Sequence, residues 1–355
     1  MNSSGNELFL TKTAFYTDNY CFPAGTIVFP KNGGALLTNK KRILPQNSQC
    51  DLNTGGIYLF NTNLIDYIFL WFSSIDMSRL CIGGVLPTVN GQIINNIAVP
   101  LPPQNEQKRI VQQVETLLNL LNEIEASKDI LHTTSNILKS RILGLAISGK
   151  LVAQDPSDEP AIELLRRINP DFKPCDNSHY PFEIPTSWVF ASGKDIFLPM
   201  KSTKPSGDEF SYIDIDSIDN KNNVIHSPKR VKTENAPSRA CRFTKKGDVV
   251  FSMVRPYLRN IAAVRENGCI ASTGFFVCSP NKSIHTDYMF LMMLSSYVID
   301  GLNQFMKGDN SPSINTDNIL SWKYPVPPLN EQRRIVAEVQ RLYQCLEQIE
   351  THLTK

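Results

Sequence analysis

Basic side chains are the residues of this sequence best placed to do chemistry with a partner. Ten of them, Lys229, Arg230, Lys232, Arg239, Arg242, Lys245, Lys246, Arg255, Arg259 and Arg265, fall between His226 and Arg265 against only Glu234 and Asp248, a net of +8 in forty residues. Over all 355 residues, 36 Lys and Arg nearly balance 34 Asp and Glu for a net of +2, and Leu151–Asp176 leans acidic. A positive block on an otherwise neutral chain has the electrostatics of a polyanion-binding face. The same block would serve equally as a solvated, salt-bridged surface, and charge alone does not choose between the two.

Residue types for catalysis are present, but not in catalytic spacing. There is no GxxxxGKS/T phosphate loop, no HExxH, and no GxSxG or GxGxxG between a strand and a helix. His132, His179, His226, His285 and His352 stand far apart, and the eight cysteines form no CxxC pair, which suits reduced thiols better than zinc. Asn169-Pro170-Asp171-Phe172 is similar to the Asn-Pro-Pro-Tyr loop of adenine methyltransferases. It lacks the second proline and has no glycine-rich cofactor strand upstream. Asp214 and Asp216 alternate on one face of a predicted strand, a pattern that fits a surface turn better than an acid/base pair. No enzyme, metal or cofactor of this chain is predicted. The best apolar candidate for a span, Tyr67–Phe72, is far short of the ~20 residues required, and Met1–Glu7 carries no basic or apolar leader pattern. A cytoplasmic protein without a membrane partner is expected.

The elements that position these residues come in duplicate. PLPPQNEQKRIVQQVETLLNLLNEIE (Pro100–Glu125) and PVPPLNEQRRIVAEVQRLYQCLEQIE (Pro325–Glu350) share 14 of 26 positions at an offset of 225. Upstream, Gly83, Pro87, Asn90 and Ile94 fall on Gly308, Pro312, Asn315 and Ile319; further back, Asp66-Tyr67 matches Asp287-Tyr288 and Gly25–Phe29 matches Gly247–Phe251. A unit of about 220 residues repeated twice suggests pseudo-twofold symmetry. Each unit has a globular part followed by a long helix. Strands are expected at Thr26–Phe29, Ile57–Phe60, Asp248–Val254 and Ala271–Cys278, and helices at Tyr67–Ser73 and Asp287–Leu294, so the class is mixed α and β.

The long helices carry heptads. Ile110, Val114, Leu117, Leu121 and Ile124 continue to Leu131, Leu138 and Leu145, with Ile142 between and polar gaps at Lys128 and Ser135. The second copy runs Ile335, Val339, Leu342, Leu346, Ile349 and Leu353. Such seams predict that the two helices pack as a coiled coil. Gln104–Ile147 would span ~65 Å, longer than a small domain is wide. Asn105-Glu106 and Asn330-Glu331 are expected to cap the starts. A short helix, Ala161–Ile168, follows Asp158-Glu159-Pro160, and Asp171–Pro185 reads as a linker. The expected segments are 1–100, 101–150, 151–181, 182–324 and 325–355.

PLPPQNEQKRIV and PVPPLNEQRRIV, ILGLAISGKLVAQDPSDEPAIELLRRI (Ile142–Ile168), FEIPTSWVF (Phe182–Phe190), FTKKGDVVFSMVRPYLRNIA (Phe243–Ala262) and ASTGFFV (Ala271–Val277) resemble the DNA specificity subunits of type I restriction-modification systems. The resemblance covers essentially the whole chain. It implies two target-recognition domains (1–100 and 182–324), each reading half of a bipartite site on double-stranded DNA. It further implies antiparallel long helices acting as a ruler, with two methyltransferase subunits and translocase/nuclease subunits as partners. S-adenosylmethionine, ATP and Mg would belong to those partners.

In that setting Lys/Arg contacts supply affinity and base-edge contacts supply specificity. The contact candidates are Lys229, Arg230, Arg255, Tyr257 and Arg259, the polar loop with Lys307, Asn310 and Ser311, and a second loop with Lys201 and Lys204. In the first part of the chain Lys31, Lys40, Lys41 and Arg42 are their counterparts; for each residue taken singly, a solvated surface role stays open. Trp188, which opens the second domain, has no counterpart within the chain, so the first domain is expected to lack its start. The alternative is a truncated, inactive coiled-coil interaction scaffold without specific DNA binding.

Overall fold

The computed structural model describes residues 21–81, 87–175 and 182–354. Met1–Glu7, Gly83, His179, residues 176–181 of the linker and the side chain of Leu353 lie outside the described set. Two compact units, Met1–Ala126 and Ser127–Lys355, divide the chain at a point inside its longest helix.

In the first unit the apolar run Ile27-Val28-Phe29 is fully β-branched or aromatic and becomes the central strand β1 (Ile27–Pro30), every one of the three side chains buried. It pairs antiparallel with β2 (Arg42–Ile43) on one side and β3 (Thr54–Ile57) on the other. The expected strand at Ile57–Phe60 lies three residues too late. The pairing residues are Thr54-Gly55-Gly56-Ile57, because only glycine leaves room there: a Cβ at Gly55 or Gly56 would meet the Phe29 or Phe22 ring at 2.6 Å. Tyr58 and Phe60 emerge into solvent. Helix α1 (Ile65–Ser74) closes the sheet with Tyr67, Ile68 and Phe72, and the Phe29 and Phe72 rings meet edge to face at 5.2 Å. Each such buried side chain contributes about 1.5–3 kcal/mol. A short helix α2 (Gly91–Asn95) starts where Asn90 accepts the Ile93 amide at 3.0 Å.

Helix α3 (Gln104–Ile147) follows, and α4 (Ala161–Ile168) after it. The second unit contains a four-stranded sheet in which β5 (Glu209–Ile213) lies between β6 (Lys229–Lys232) and β10 (Cys269–Ser272), with β7 (Ala240–Phe243) at the far edge. A three-stranded sheet has β8 (Val249–Ser252) between β9 (Ile261–Ala263) and β11 (Phe275–Cys278). The stretch Ala271–Cys278, expected as one strand, is broken at Thr273-Gly274 and serves two sheets. Strand β4 (Val189–Ser192) pairs with β12 (Lys323–Val326), and helices α5 (Thr286–Leu294), α6 (Ser296–Asn303) and α7 (Thr316–Ser321) pack around Tyr288, Met292 and Leu302. Asn315 caps α7 as Asn90 caps α2, at the same place in the repeat.

The chain ends in α8 (Leu329–Thr354). Both long helices start one residue ahead of the asparagines expected to cap them, and the Pro103 and Pro328 carbonyls accept the Glu106 and Gln332 amides instead. Within the second unit α3 and α8 run antiparallel: Tyr343 Oη donates to the Lys139 carbonyl at 3.1 Å, and Lys139 Nζ lies 4.0 Å from Glu350 Oε2. The α3 side of this contact corrects the heptad expectation. Leu138 and Leu145 are 39% and 43% exposed, whereas Ser135, Leu143 and Ala146 are buried. A straight helix drifts about 20° per heptad against a 3.5-residue seam, so the buried stripe keeps Leu131 and Ser135 of the seam and then leaves Leu138 and Leu145 for 139, 143 and 146. On α8, Ile335 and Val339 are buried, Leu342 and Leu346 half-buried and Ile349 about half exposed. In the first unit Ile110 packs on the core and Val114 is half-buried, while Leu117, Leu121 and Ile124 stand about half exposed.

Candidate nucleic-acid interface

The turn between β8 and β9 is written in the sequence as Arg255-Pro256-Tyr257-Leu258-Arg259. Proline fixes φ at the first position of a single 3₁₀ turn, Pro256–Leu258, and the two arginines on either side adopt left-handed backbone, at φ 48° and 55°. Non-glycine residues in that region cost about 1–2 kcal/mol each, so the surroundings must hold them. They do so with named bonds. The Arg255 amide donates to the Pro312 carbonyl at 2.8 Å and its Nη2 to the Asn310 carbonyl at 2.7 Å. Arg259 Nη2 donates to Ser296 Oγ at 3.3 Å, and Asn220 and Asn223 donate to the Leu258 and Arg259 carbonyls at 2.8 and 3.0 Å.

The loop Lys307–Ser313 is itself closed by reciprocal backbone bonds between Lys307 and Ser313, both 2.9 Å, and Ser313 bridges to Val254. The two loops are therefore stitched into one surface. It presents the Tyr257 ring at 46% exposure beside Leu258 at 40%, with Lys307, Asn310 and Ser311 exposed. An aromatic face, a cation, an amide and a hydroxyl on a rigid support are the groups that stack on and hydrogen-bond to a nucleic acid. Of the arginines that the sequence pointed to, Arg255 is exposed and Arg259 half-buried, and each guanidinium makes a hydrogen bond that holds the turn. The sequence reading missed Leu258, in the Pro-led turn, and the supporting Asn220 and Asn223, whose sequence signal was the Asn-rich turn Asn220–Asn223.

Further basic candidates lie at the two edges of the four-stranded sheet. Lys229, Arg230 and Lys232 lie exposed on edge strand β6. Lys229 Nζ is 2.5 Å from Asp214 Oδ2 and 3.5 Å from Asp216, an ion pair that raises its pKa. Burial works against ionisation of Asp214, yet the bonds from Lys229 and Ser217 leave its pKa lowered; it also caps the turn Ile215–Ser217. At the opposite edge, Lys201 and Lys204 are exposed along the segment that borders β7, where Ser202 bridges Arg242.

In the first unit Lys31 is half-buried, Lys40 exposed and Arg42 half-buried on β2. Lys41 points inward: its Nζ donates to the Ile75 carbonyl at 2.6 Å and to Asn39 Oδ1 at 2.9 Å and sits 5.0 Å above the Phe72 ring. Burial lowers its pKa, with Asp76 acting in the opposite sense. Among the described residues no three His, Cys, Asp or Glu side chains are grouped to hold a metal ion, and no helix is long and apolar enough to cross a membrane.

A duplicated chain of mixed α and β structure that presents rigid basic and aromatic loops next to long helices is the class these features define. The profile of the family described as "Type I restriction modification DNA specificity domain" matches residues 4–131 and 186–355, and the chain belongs to that family. It is 24% identical over 286 residues to the type I restriction enzyme EcoDI specificity subunit of Escherichia coli, covering 76% of this chain and 60% of that protein. It is 22% identical to the MjaVIII specificity subunit of Methanocaldococcus jannaschii, over 89% of this chain and 71% of the relative. The crystal structure of the HsdS subunit from Thermoanaerobacter tengcongensis aligns at 34% identity with a TM-score of 0.46, covering 49% of this chain and 46% of that one. The chain thus spans 60% of the length of the EcoDI relative.

Proposed function

We propose that this chain is a non-catalytic, sequence-specific DNA-binding subunit of a type I restriction-modification complex. Residues 1–100 and 182–324 act as target-recognition domains for the halves of a bipartite site on double-stranded DNA, and the long helices set the spacing. Two methyltransferase subunits and translocase/nuclease subunits are its partners, in the cytoplasm, and S-adenosylmethionine, ATP and Mg act in those partners. Family membership supports the reading as a whole. The observation that carries it for the second domain is the joined surface of Pro256–Leu258 and Lys307–Ser313, whose rigid frame presents Tyr257, Lys307, Asn310 and Ser311 outward. Preorganised groups lose little entropy on binding and fix the register in which base edges are read.

Salt dependence tests the reading. In the assembled complex, log K for DNA should fall with log salt by about 0.9 per phosphate contacted, and Lys307→Ala should reduce that slope by about one contact. Tyr257→Ala should lower affinity and leave the slope unchanged, as loss of a stacking or base contact would. Binding that is insensitive to salt and to both substitutions would leave the chain as an interaction scaffold only.

A further inference from the structure

The turn between β8 and β9 has a counterpart in the first unit, and the two copies match bond by bond. In the second unit β8 leads to Arg255, left-handed at φ 48°, then to the 3₁₀ turn Pro256–Leu258 and to left-handed Arg259 at φ 55°. In the first, β1 leads to Gly33 at φ 70°, then to the 3₁₀ turn Leu36–Thr38 and to Asn39 at φ 54°. The entry is held in the same way. The Gly33 amide donates to the Pro87 carbonyl at 2.8 Å, as the Arg255 amide does to Pro312. The Val89 amide donates to the Lys31 carbonyl at 2.8 Å, as Ile314 does to Met253 at 2.9 Å, and Asn32 bridges Thr88 as Val254 bridges Ser313.

The exit is matched as well. Arg259 ties the turn to Ser296, just past the end of α5. Asn39 ties it to the segment just past α1, its Oδ1 accepting from the Met77 amide at 3.0 Å. Counted back from the left-handed exit residue, burial follows one order in both copies. Asn39 and Arg259 are half-buried, Thr38 and Leu258 exposed, Leu37 and Tyr257 exposed, and Leu36 and Pro256 buried. Leu37 thus takes the place of Tyr257, at 57% exposure against 46%. A single exposed leucine is ordinary on a protein surface. Its seat on a frame shared with Tyr257 is what singles it out.

We infer that the turn Leu36–Thr38 is the base-reading turn of the first domain, with Leu37 packing against the C5 methyl of a thymine in the major groove. The inference rests on the reading of both domains as target-recognition domains. The ligand chemistry follows from the side chain. Tyr257 offers a ring face and a hydroxyl, whereas Leu37 offers methyl groups alone. In the major groove the apolar group that distinguishes one base pair from another is the thymine methyl. Lys41, bonded to Asn39 and seated over the Phe72 ring, supports the turn instead of meeting DNA.

The test uses the full chain assembled with methyltransferase subunits. Sequencing of methylated sites in cells should show Leu37→Ala relaxing one half-site at a position that carries thymine, and Tyr257→Ala relaxing the other half alone. Synthetic duplexes of the site so defined give the chemical readout. Uracil in place of that thymine lacks the methyl and should weaken binding of the unaltered complex about fivefold or more, with no effect on the Leu37→Ala complex. Half-sites that Leu37→Ala leaves unchanged overturn the inference. So does relaxation of the same half-site by both substitutions, or an equal loss on uracil in the two complexes. Cells with the unaltered chain that show no bipartite motif overturn the recognition reading itself, and this inference with it.

Discussion

Burial raises the pKa of Glu331, and the bonds from Trp188 and Gln154, with Arg334 nearby, offset that only in part. Between the ordinary carboxylate value and the raised native one, the folded protein therefore holds more protons than the unfolded chain. The stability of the second unit should fall as pH rises through that window and be constant on either side of it. Glu331→Gln should flatten this decline, as read from urea midpoints across the carboxylate range. Trp188→Phe removes a donor from a buried carboxylate and should cost about 1–3 kcal/mol in the same measurement. Arg255 and Tyr257, at the turn between β8 and β9, make a contrasting pair of cases. Arg255→Ala should speed amide exchange at Lys307 and Ser313 by cutting the bond to the Asn310 carbonyl, and should weaken DNA binding through that loosening. Tyr257→Ala should weaken binding with those amides unchanged. At this scale the sequence revealed a basic cluster with a Pro-led turn. It could not reveal the acceptors that Arg255, Arg259, Lys41 and Lys229 find in Asn310, Ser296, Ile75 and Asp214, because these are set by tertiary packing and mostly by distant residues.

Two helices, Gln104–Ile147 and Ala161–Ile168, were legible almost to the residue, bounded by Pro and Gly with a periodicity that is local information, whereas Gly91–Asn95, Ser296–Asn303 and Thr316–Ser321 were not read. Strands were less so. Whether Gly55 and Gly56 pair depends on the Phe29 and Phe22 rings that cover them, and the break at Thr273-Gly274 depends on two different sheets drawing on adjacent residues. The same distinction governs the α3 seam. Its heptad leucines can be counted in sequence, but which row meets α8 follows from helical drift along the contact. The consequence can be measured by denaturation of single variants. Leu143→Ala, at a buried position, should cost about 2–5 kcal/mol, whereas Leu138→Ala and Leu145→Ala should each cost well under half of that. Ser135 is buried with no hydrogen-bond partner for its hydroxyl among the described residues, so Ser135→Ala should leave stability unchanged or raise it.

At the scale of the whole chain, the duplicated PxPPxNEQ segments and the two matched stretches 4–131 and 186–355 describe the same organisation from sequence and from kinship. Helix α3 carries the chain from one unit into the other, and its two parts have different surroundings. Leu131–Ile147 belongs to the helix contact of the second unit, whereas Leu117, Leu121 and Ile124 are about half exposed. A heptad inserted after Glu125 therefore lengthens α3 without disturbing the pairs around Lys139 and Tyr343, and seven residues turn the helix by only about 20°. The added length is ~10 Å at 1.5 Å per residue, the rise of about 3 bp at 3.4 Å each. If the helix spaces the two recognition domains, sequencing of methylated sites in cells carrying the insertion should show both half-sites unchanged and the spacer between them longer by about 3 bp. An unchanged spacer would mean that the distance between half-sites is fixed by something other than α3, and the ruler would have to be given up even with both domains reading DNA.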